Sequence, residues 1–160
     1  MLLSFDMGTK NLAYCLLDEQ ERIHKWSLLD VRGTTLVDQV MAKLKGVPMA
    51  ETVVIEQQPK IASEPVKAVM HYIEAYYVLK GCRVILVSPK RKLTVYQGPD
   101  VNGTVVKSAH ARNKYLAMEH CRLLLTASDQ MEWPTIFEAE GKKDDLADAY
   151  LQGLWYLRQA

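Results

Sequence analysis

The sequence predicts an α/β fold built on a mixed five-stranded sheet, with three antiparallel strands, two parallel crossovers and helices on both faces. Three observations carry this expectation. Three short strand-like runs open the chain with only turn-length breaks between them, two further buried-strand runs each follow an amphipathic helical stretch, and the last third is helical.

Residues 2–6, "LLSFD", form an apolar run that ends on a charge, and Gly8 supplies a turn after it. Residues 11–18 are apolar again, and "RIHKWSLL" alternates polar and apolar side chains as a half-buried strand does. Together they read as an antiparallel meander. "GTTLVDQVMAKLKG" opens with a Gly-Thr cap and places Leu36, Val40 and Leu44 at helical spacing before Gly46 stops it. "TVVIEQQP" is a short buried strand closed by a proline, "SEPVKAVMHYIEAYYVLKG" a long helix ended by glycine, and "RVILVSP" a second buried strand. Residues 88–106 carry Pro89, Gly98, Pro99 and Gly103 and read as a long loop, a feature often tied to function in compact domains. "VKSAHARNKYLAMEHCRLLLTAS" is helical, with Ala109, Leu116, Cys121 and Leu124 among its expected inward positions. "QMEWPTIFEAEGKK" is irregular with room for one short helix, and "DDLADAYLQGLWYLRQ" closes the chain as an amphipathic helix. Right-handed crossovers then give the layout of a ribonuclease H-like domain, with residues 1–160 expected to form one domain.

The 160 residues are 49% apolar, enough for a substantial core. Lys and Arg number 20 against 19 Asp and Glu, so net charge says nothing about a polyanionic partner. Its distribution says more. From Lys90 to Lys114 six strong cations face one acid, Asp100, whereas from Asp129 to Asp148 seven acids face Lys142 and Lys143. Such lobes suit cations that hold a phosphate backbone and acids that hold metal, or else two solvated helix faces. Cys15, Cys82 and Cys121 are too few and too scattered for a disulfide framework or a zinc site, which fits a reducing compartment. No apolar run approaches the ~18 residues of a membrane span, and the first strand begins at once after Met1. A soluble, intracellular protein without membrane partners is expected.

Four acids carry the chemical argument. Asp6 and Glu56 each end a buried strand run, and if those strands are neighbours their carboxylates converge at one edge of the sheet. Asp145 and Asp148 are three apart in the last helix and share a face. Anions gathered in a partly buried place need compensation, because repulsion and desolvation otherwise raise their pKa values. Mg²⁺ or Mn²⁺ supplies it with oxygen ligands alone, and two such ions ~3.5–4 Å apart suit in-line phosphodiester displacement. Each acid also has an ordinary role open to it: a turn with Gly8 for Asp6, a satisfied buried acid for Glu56, a helix N-cap for Asp144 or Asp145, and a solvated face for Asp148.

"SFDMGTKNLAYCL", "VVIEQQP", "VSPKRK" and "KKDDLADAYLQG", in that order, resemble the RuvC-like Holliday-junction resolvases, above all the poxvirus-type and fungal mitochondrial branches. The similarity runs over nearly the whole chain. It implies that Asp6, Glu56, Asp145 and Asp148 bind two Mg²⁺ or Mn²⁺ ions and catalyse hydrolysis, with Asp145 favoured over Asp144 by the three-residue interval. It also implies a homodimer that cuts opposing strands of four-way DNA junctions. By the same resemblance the compartment is cytoplasmic or a viral replication site, and mitochondrial only if a transit peptide has been removed. Short connecting loops and "EQQP" depart from the bacterial members, so their cleavage-sequence preference does not carry over.

DNA is expected along the basic segment. Lys90, Arg91 and Lys92 would contact the backbone, and Lys107, Arg112 and Lys10 of the "GTKN" stretch join them. Lys107 or Lys114 would approach the scissile phosphate and offset transition-state charge, Lys114 being assigned to catalysis. Gln57 and Gln58 would meet sugar or base edges, or cap the strand end. Val66, Met70, Ile73 and Tyr77 form one stripe of the long helix with Val69, Tyr72 and Tyr76 beside it; core packing is the common explanation of so wide a stripe, and a two-fold interface is the alternative that its Met and Tyr surplus would suit.

Other readings keep the acids and change the outcome: a ribonuclease H acting on RNA/DNA hybrids or other branched nucleic acids, or a junction binder without chemistry. The D-x-G-T turn also opens actin-like sugar kinases, but those need a second large lobe that 160 residues cannot supply.

Overall fold

The computed structural model describes residues 1–102 and 107–159. Strands β1 (Leu2–Asp6), β2 (Asn11–Leu17) and β3 (Ile23–Asp30) form the antiparallel meander. Helix α1 (Leu36–Leu44) crosses to β4 (Thr52–Glu56), and α2 (Glu64–Leu79) crosses to β5 (Arg83–Val87). The sheet order is β3-β2-β1-β4-β5, with β1 parallel to β4 and β4 parallel to β5. A 3-10 turn (Lys92–Thr94), α3 (Ala109–Ala127), α4 (Trp133–Ala139) and α5 (Lys143–Leu157) complete the chain. This is the predicted mixed five-stranded sheet.

Strand parity divides the core in two. Leu3, Phe5, Leu12, Tyr14, Val53 and Ile55 point to α1 and α2, while Leu2, Ala13, Cys15 and Val54 point to α3, α4 and α5. Asp6 shares the parity of Leu2, and Glu56 that of Val54, so both carboxylates emerge on the α5 face. The expected stripe of α2 splits accordingly: Val69, Met70, Ile73 and Tyr77 are buried, and Val66, Tyr72 and Tyr76 half-buried.

Three local expectations are corrected. In α3 the buried residues are Ala117, His120, Cys121 and Leu125, with Leu116 and Leu124 half-buried and Ala109 exposed. Cys121 is inward as expected and Leu124 packs against the core from a half-buried position, whereas Ala117 and Leu125 take the fully buried places expected of Leu116 and Leu124, and the first turns of α3 extend beyond the core. Helix α5 begins at Lys143 with Lys142 as N-cap, so Asp144 lies inside the first turn and is not the cap. Thr35 does precede α1, but its side chain makes no capping hydrogen bond. The expected loop from 88 to 106 holds the 3-10 turn; its residues 103–106 lie outside the described residues, as does Val106 at the expected start of α3.

Candidate active site

Asp6 is the last residue of β1 and Glu56 the last of β4, and the parallel register pairs Phe5 with Ile55, so the two carboxylates leave adjacent strand ends. The chain turns sharply after Asp6 because Gly8 lies against Asn11: a Cβ on Gly8 would sit 2.0 Å from the Asn11 carbonyl oxygen. Above the strand ends lies the first part of α5. Trp26 of β3 donates its indole N–H to the Leu146 carbonyl oxygen at 2.9 Å, and its ring stacks on Phe137 at 5.4 Å, so an aromatic wall fixes this end of the helix. Asp145 and Asp148 thereby face the same cleft as Asp6 and Glu56, a space of about 500 Å³.

The cleft holds a half-buried cation. Lys92, carried by the 3-10 turn, places its ammonium 3.0 Å from Glu56 Oε1 and 2.5 Å from Asp148 Oδ2. Burial pushes the Asp6 carboxyl well above the usual carboxylate range, the charges of Glu56 and Asp148 add to the rise, and Lys92 only partly offsets it. Asp148 is raised to about 6 by burial against the same lysine, and Asp145 is raised by burial and by its neighbour Asp144. Burial alone would lower Lys92; Asp148, Glu56 and Asp6 outweigh it and hold the ammonium charged.

Asp144 is the exception among the acids. Burial works to raise it, but the ion pair with Lys114, 3.1 Å from its Oδ2, brings it below its ordinary value. The doublet is therefore split: Asp145 joins the acidic cluster, and Asp144 is neutralised from α3.

The basic and polar residues fall into two sets. Gln57, Gln58, Lys90, Lys92 and Lys114 line the cleft, together with His110 and Asn113. Gln58 approaches Glu56 through its side-chain amide, 3.3 Å from the backbone oxygen, which gives it the strand-end role anticipated as an alternative. Lys10, Arg91, Lys107 and Arg112 are exposed outside the lining of the cleft, Arg91 with its guanidinium over the Trp155 ring. Sequence reasoning missed the inward placement of Lys92. The available signal was charge balance, since four converging acids need a cation near them.

No group of three or more carboxylate, imidazole or thiolate side chains among the described residues is arranged as a cage for one ion. The cationic centre between Glu56 and Asp148 is instead the Lys92 ammonium. An oxygen-only set of carboxylates that already gathers around a positive charge fits Mg²⁺ or Mn²⁺ in its donor chemistry.

A family model described as the Poxvirus A22 protein matches residues 1–159. The chain belongs to the poxvirus A22 protein family. Among solved structures, this A22 family member superposes on the fowlpox virus resolvase in complex with Holliday junction DNA with a TM-score of 0.71, at 20% identity over 99% of this chain and 97% of that one. The yeast mitochondrial Holliday junction resolvase gives 0.64 at 21% identity, over 98% and 78%. Thermus thermophilus RuvC bound to a Holliday junction gives 0.60 at 12% identity, over 99% and 95%. The shared architecture is the ribonuclease H-like fold of these resolvases. An uncharacterized protein of Acanthamoeba polyphaga mimivirus is 30% identical over 122 residues, a match that spans 67% of the A22 family member and 29% of that relative. No described helix of the A22 family member is long and apolar enough to cross a membrane.

Proposed function

We propose that the chain is a structure-selective DNA endonuclease that resolves four-way junctions by metal-dependent phosphodiester hydrolysis on opposing strands. One observation carries the proposal: the adjacent ends of β1 and β4 and the face of α5 bring Asp6, Glu56, Asp145 and Asp148 to one cleft. Membership of the A22 family and the likeness to proteins solved as resolvases support the choice of junction DNA over other nucleic acids.

Asp6, Glu56, Asp145 and Asp148 would hold the divalent ions, Mg²⁺ or Mn²⁺ and two per site. The ions, when bound, supply water activation and charge neutralisation at the leaving oxygen. The chain's own groups do the rest. Asp6 and Glu56 are buried at the strand ends, where charge interactions are stronger than in bulk water. Lys90 at the rim engages backbone phosphate, joined by Lys10, Arg91, Lys107 and Arg112 farther out. Lys114, whose ammonium already lies in the cleft against Asp144, offers positive charge to the phosphate as it becomes pentacoordinate. Lys92 keeps the carboxylates assembled.

Paired cuts call for two sites at a fixed distance, and a homodimer provides them. The exposed Val78 and Leu79 at the end of α2, with the half-buried Tyr72 and Tyr76, support that helix as the two-fold surface. The free thiols of Cys15, Cys82 and Cys121 suit a reducing compartment of the cytoplasmic type.

The deciding experiment is cleavage of an immobile four-way junction beside a linear duplex and an RNA/DNA hybrid, with Mg²⁺ present. Symmetric nicks in the junction alone are expected. Preference for the hybrid would replace junction resolution by a ribonuclease H activity.

A further inference from the structure

Helix α5 is apolar where it meets the sheet, through Leu146, Ala147, Ala149, Tyr150, Leu151 and Leu154, with one exception. Gln152 is 2% exposed, and its side-chain amide donates to Ser4 Oγ at 3.1 Å and to the Phe5 carbonyl oxygen at 2.9 Å. The second acceptor belongs to the peptide bond that leads into Asp6. A leucine or methionine would fill the same volume without desolvating an amide, so core packing alone does not account for a glutamine here.

The placement is specific. Gln152 lies four residues beyond Asp148 on the same face of α5, and Ser4 lies two residues before Asp6 on the same face of β1. Four helical residues advance about 6 Å and two strand residues about 6.6 Å, so the two spacings match. A polar clamp between Gln152 and the Ser4–Phe5 backbone therefore sets the register of the Asp148 and Asp6 carboxylates one step along. The backbones are close at this same point: a Cβ on Gly153 would lie 2.6 Å from Leu17 Cδ1 and 3.2 Å from Ser4 Cβ.

We infer that Gln152 is a positioning residue, which through Ser4 and the Phe5 carbonyl fixes the separation of Asp6 and Asp148 and so the affinity of the site for divalent cations. The inference presupposes the metal-dependent nuclease proposed for the chain. Neither Gln152 nor Ser4 touches DNA or metal in this role.

The test uses the full chain and three variants: Gln152→Leu, which removes the amide; Ser4→Ala, which removes one acceptor and is mild enough to fold; and Leu44→Ala, a destabilised control in the opposite core. Mn²⁺ binding to the protein alone is read by electron paramagnetic resonance, thermal stability by calorimetry, junction affinity in chelator, and single-turnover cleavage across a Mg²⁺ titration. Gln152→Leu is expected to weaken Mn²⁺ binding about tenfold and to shift the Mg²⁺ midpoint of cleavage by the same factor, the scale set by other residues that orient ligands. Ser4→Ala is expected to do so by a smaller factor, junction affinity to stay within twofold, and high Mg²⁺ to restore the cleavage rate. Unchanged Mn²⁺ affinity in folded Gln152→Leu, or in Ser4→Ala should the first variant not fold, would overturn the inference. So would an equal weakening in Leu44→Ala, which would make the effect one of stability. If the unaltered chain neither binds Mn²⁺ nor cleaves, the nuclease proposal itself fails, and that control separates the two outcomes.

Discussion

The Lys92 ammonium joins Glu56 and Asp148 across 36 and 56 residues of sequence, 3.0 Å from one carboxylate and 2.5 Å from the other. This cation faces a cluster in which burial pushes Asp6, Asp145 and Asp148 toward protonation. Its removal leaves buried acids uncompensated, and uncompensated charge in such a place is costly.

Replacement of Lys92 by methionine is therefore expected to destabilise the metal-free protein by about 3 kcal/mol near neutral pH, the lower end of the cost of breaking a buried pair. Added Mg²⁺ should recover more stability in this variant than in the unaltered chain. Chemical denaturation with and without Mg²⁺ reads both quantities, and an unchanged midpoint in chelator would show that Lys92 compensates nothing.

The raised Asp148 carboxyl sets a pH signature. Its folded value of about 6 lies above the ordinary 3.8, so between these values the folded state holds more protons than the unfolded state. Stability contributed by this group is present below pH 4 and is lost as pH rises through about 6. Asn mimics the protonated acid, so the stability of Asp148→Asn relative to the unaltered protein should increase over that window in chelator. Paired thermal melts from pH 4 to 7 check the sign, and a flat difference would contradict it.

The opposite sign is expected at Asp18. It accepts from the backbone N–H groups of Gln20 and Arg22 at 2.9 and 3.0 Å, and its other oxygen meets Arg22 Nε at 2.9 Å and His24 Nε2 at 2.8 Å. Burial works against ionisation, but the His24 and Arg22 contacts prevail and hold the carboxyl below its ordinary value. Its contribution is thus present above pH 4 and is lost as pH falls further. Asp18→Ala should cost about 1–3 kcal/mol at pH 7, because the β2–β3 turn loses its acceptor. Denaturation at pH 7 and pH 3 should show the cost shrinking with acid.

The basic rim predicts a salt dependence. Lys90 lines the cleft and Arg91 lies exposed beside it, so neutralising both should flatten the slope of log K for junction binding against log salt by about 0.9 for each DNA phosphate that is no longer paired with a cation. Fluorescence anisotropy in chelator from low to moderate salt measures the slope, and an unchanged slope would remove this segment from the DNA path.

Much of the site was legible in the sequence because it rests on strand parity and crossover rules. Asp6 and Glu56 terminate buried runs, and their meeting was legible on the condition that the two strands are neighbours, which the parallel pairing of β1 with β4 meets. Asp148 followed from its three-residue spacing to Asp145 on one helix face. Lys92 did not follow, because a 3-10 turn in a proline-bearing loop has no periodicity to say which of three consecutive cations turns inward. In α3 Cys121 was read correctly, but Ala117 and Leu125, and not Leu116 and Leu124, are fully buried, because the partner helix α5 and not the helix's own apolar spacing decides the rotation. Asp144 looked like a cap from composition, whereas Lys114, thirty residues earlier, claims its carboxylate. Gln152 stood in plain view as the polar interruption of an apolar helix four residues after Asp148.

The most direct measurement is single-turnover cleavage of a mobile four-way junction by the unaltered chain and by Asp6→Asn, Glu56→Gln and Asp148→Asn, each with Mg²⁺, Mn²⁺, Ca²⁺ or chelator, beside junction affinity measured in Ca²⁺. The account predicts paired nicks with Mg²⁺ or Mn²⁺ only, and loss of cutting by at least about a thousandfold in each variant, or some 4 kcal/mol of barrier, with binding retained. Cutting that persists in chelator, or in any one of the three variants at the original rate, would contradict the claim that these carboxylates jointly hold the catalytic metal.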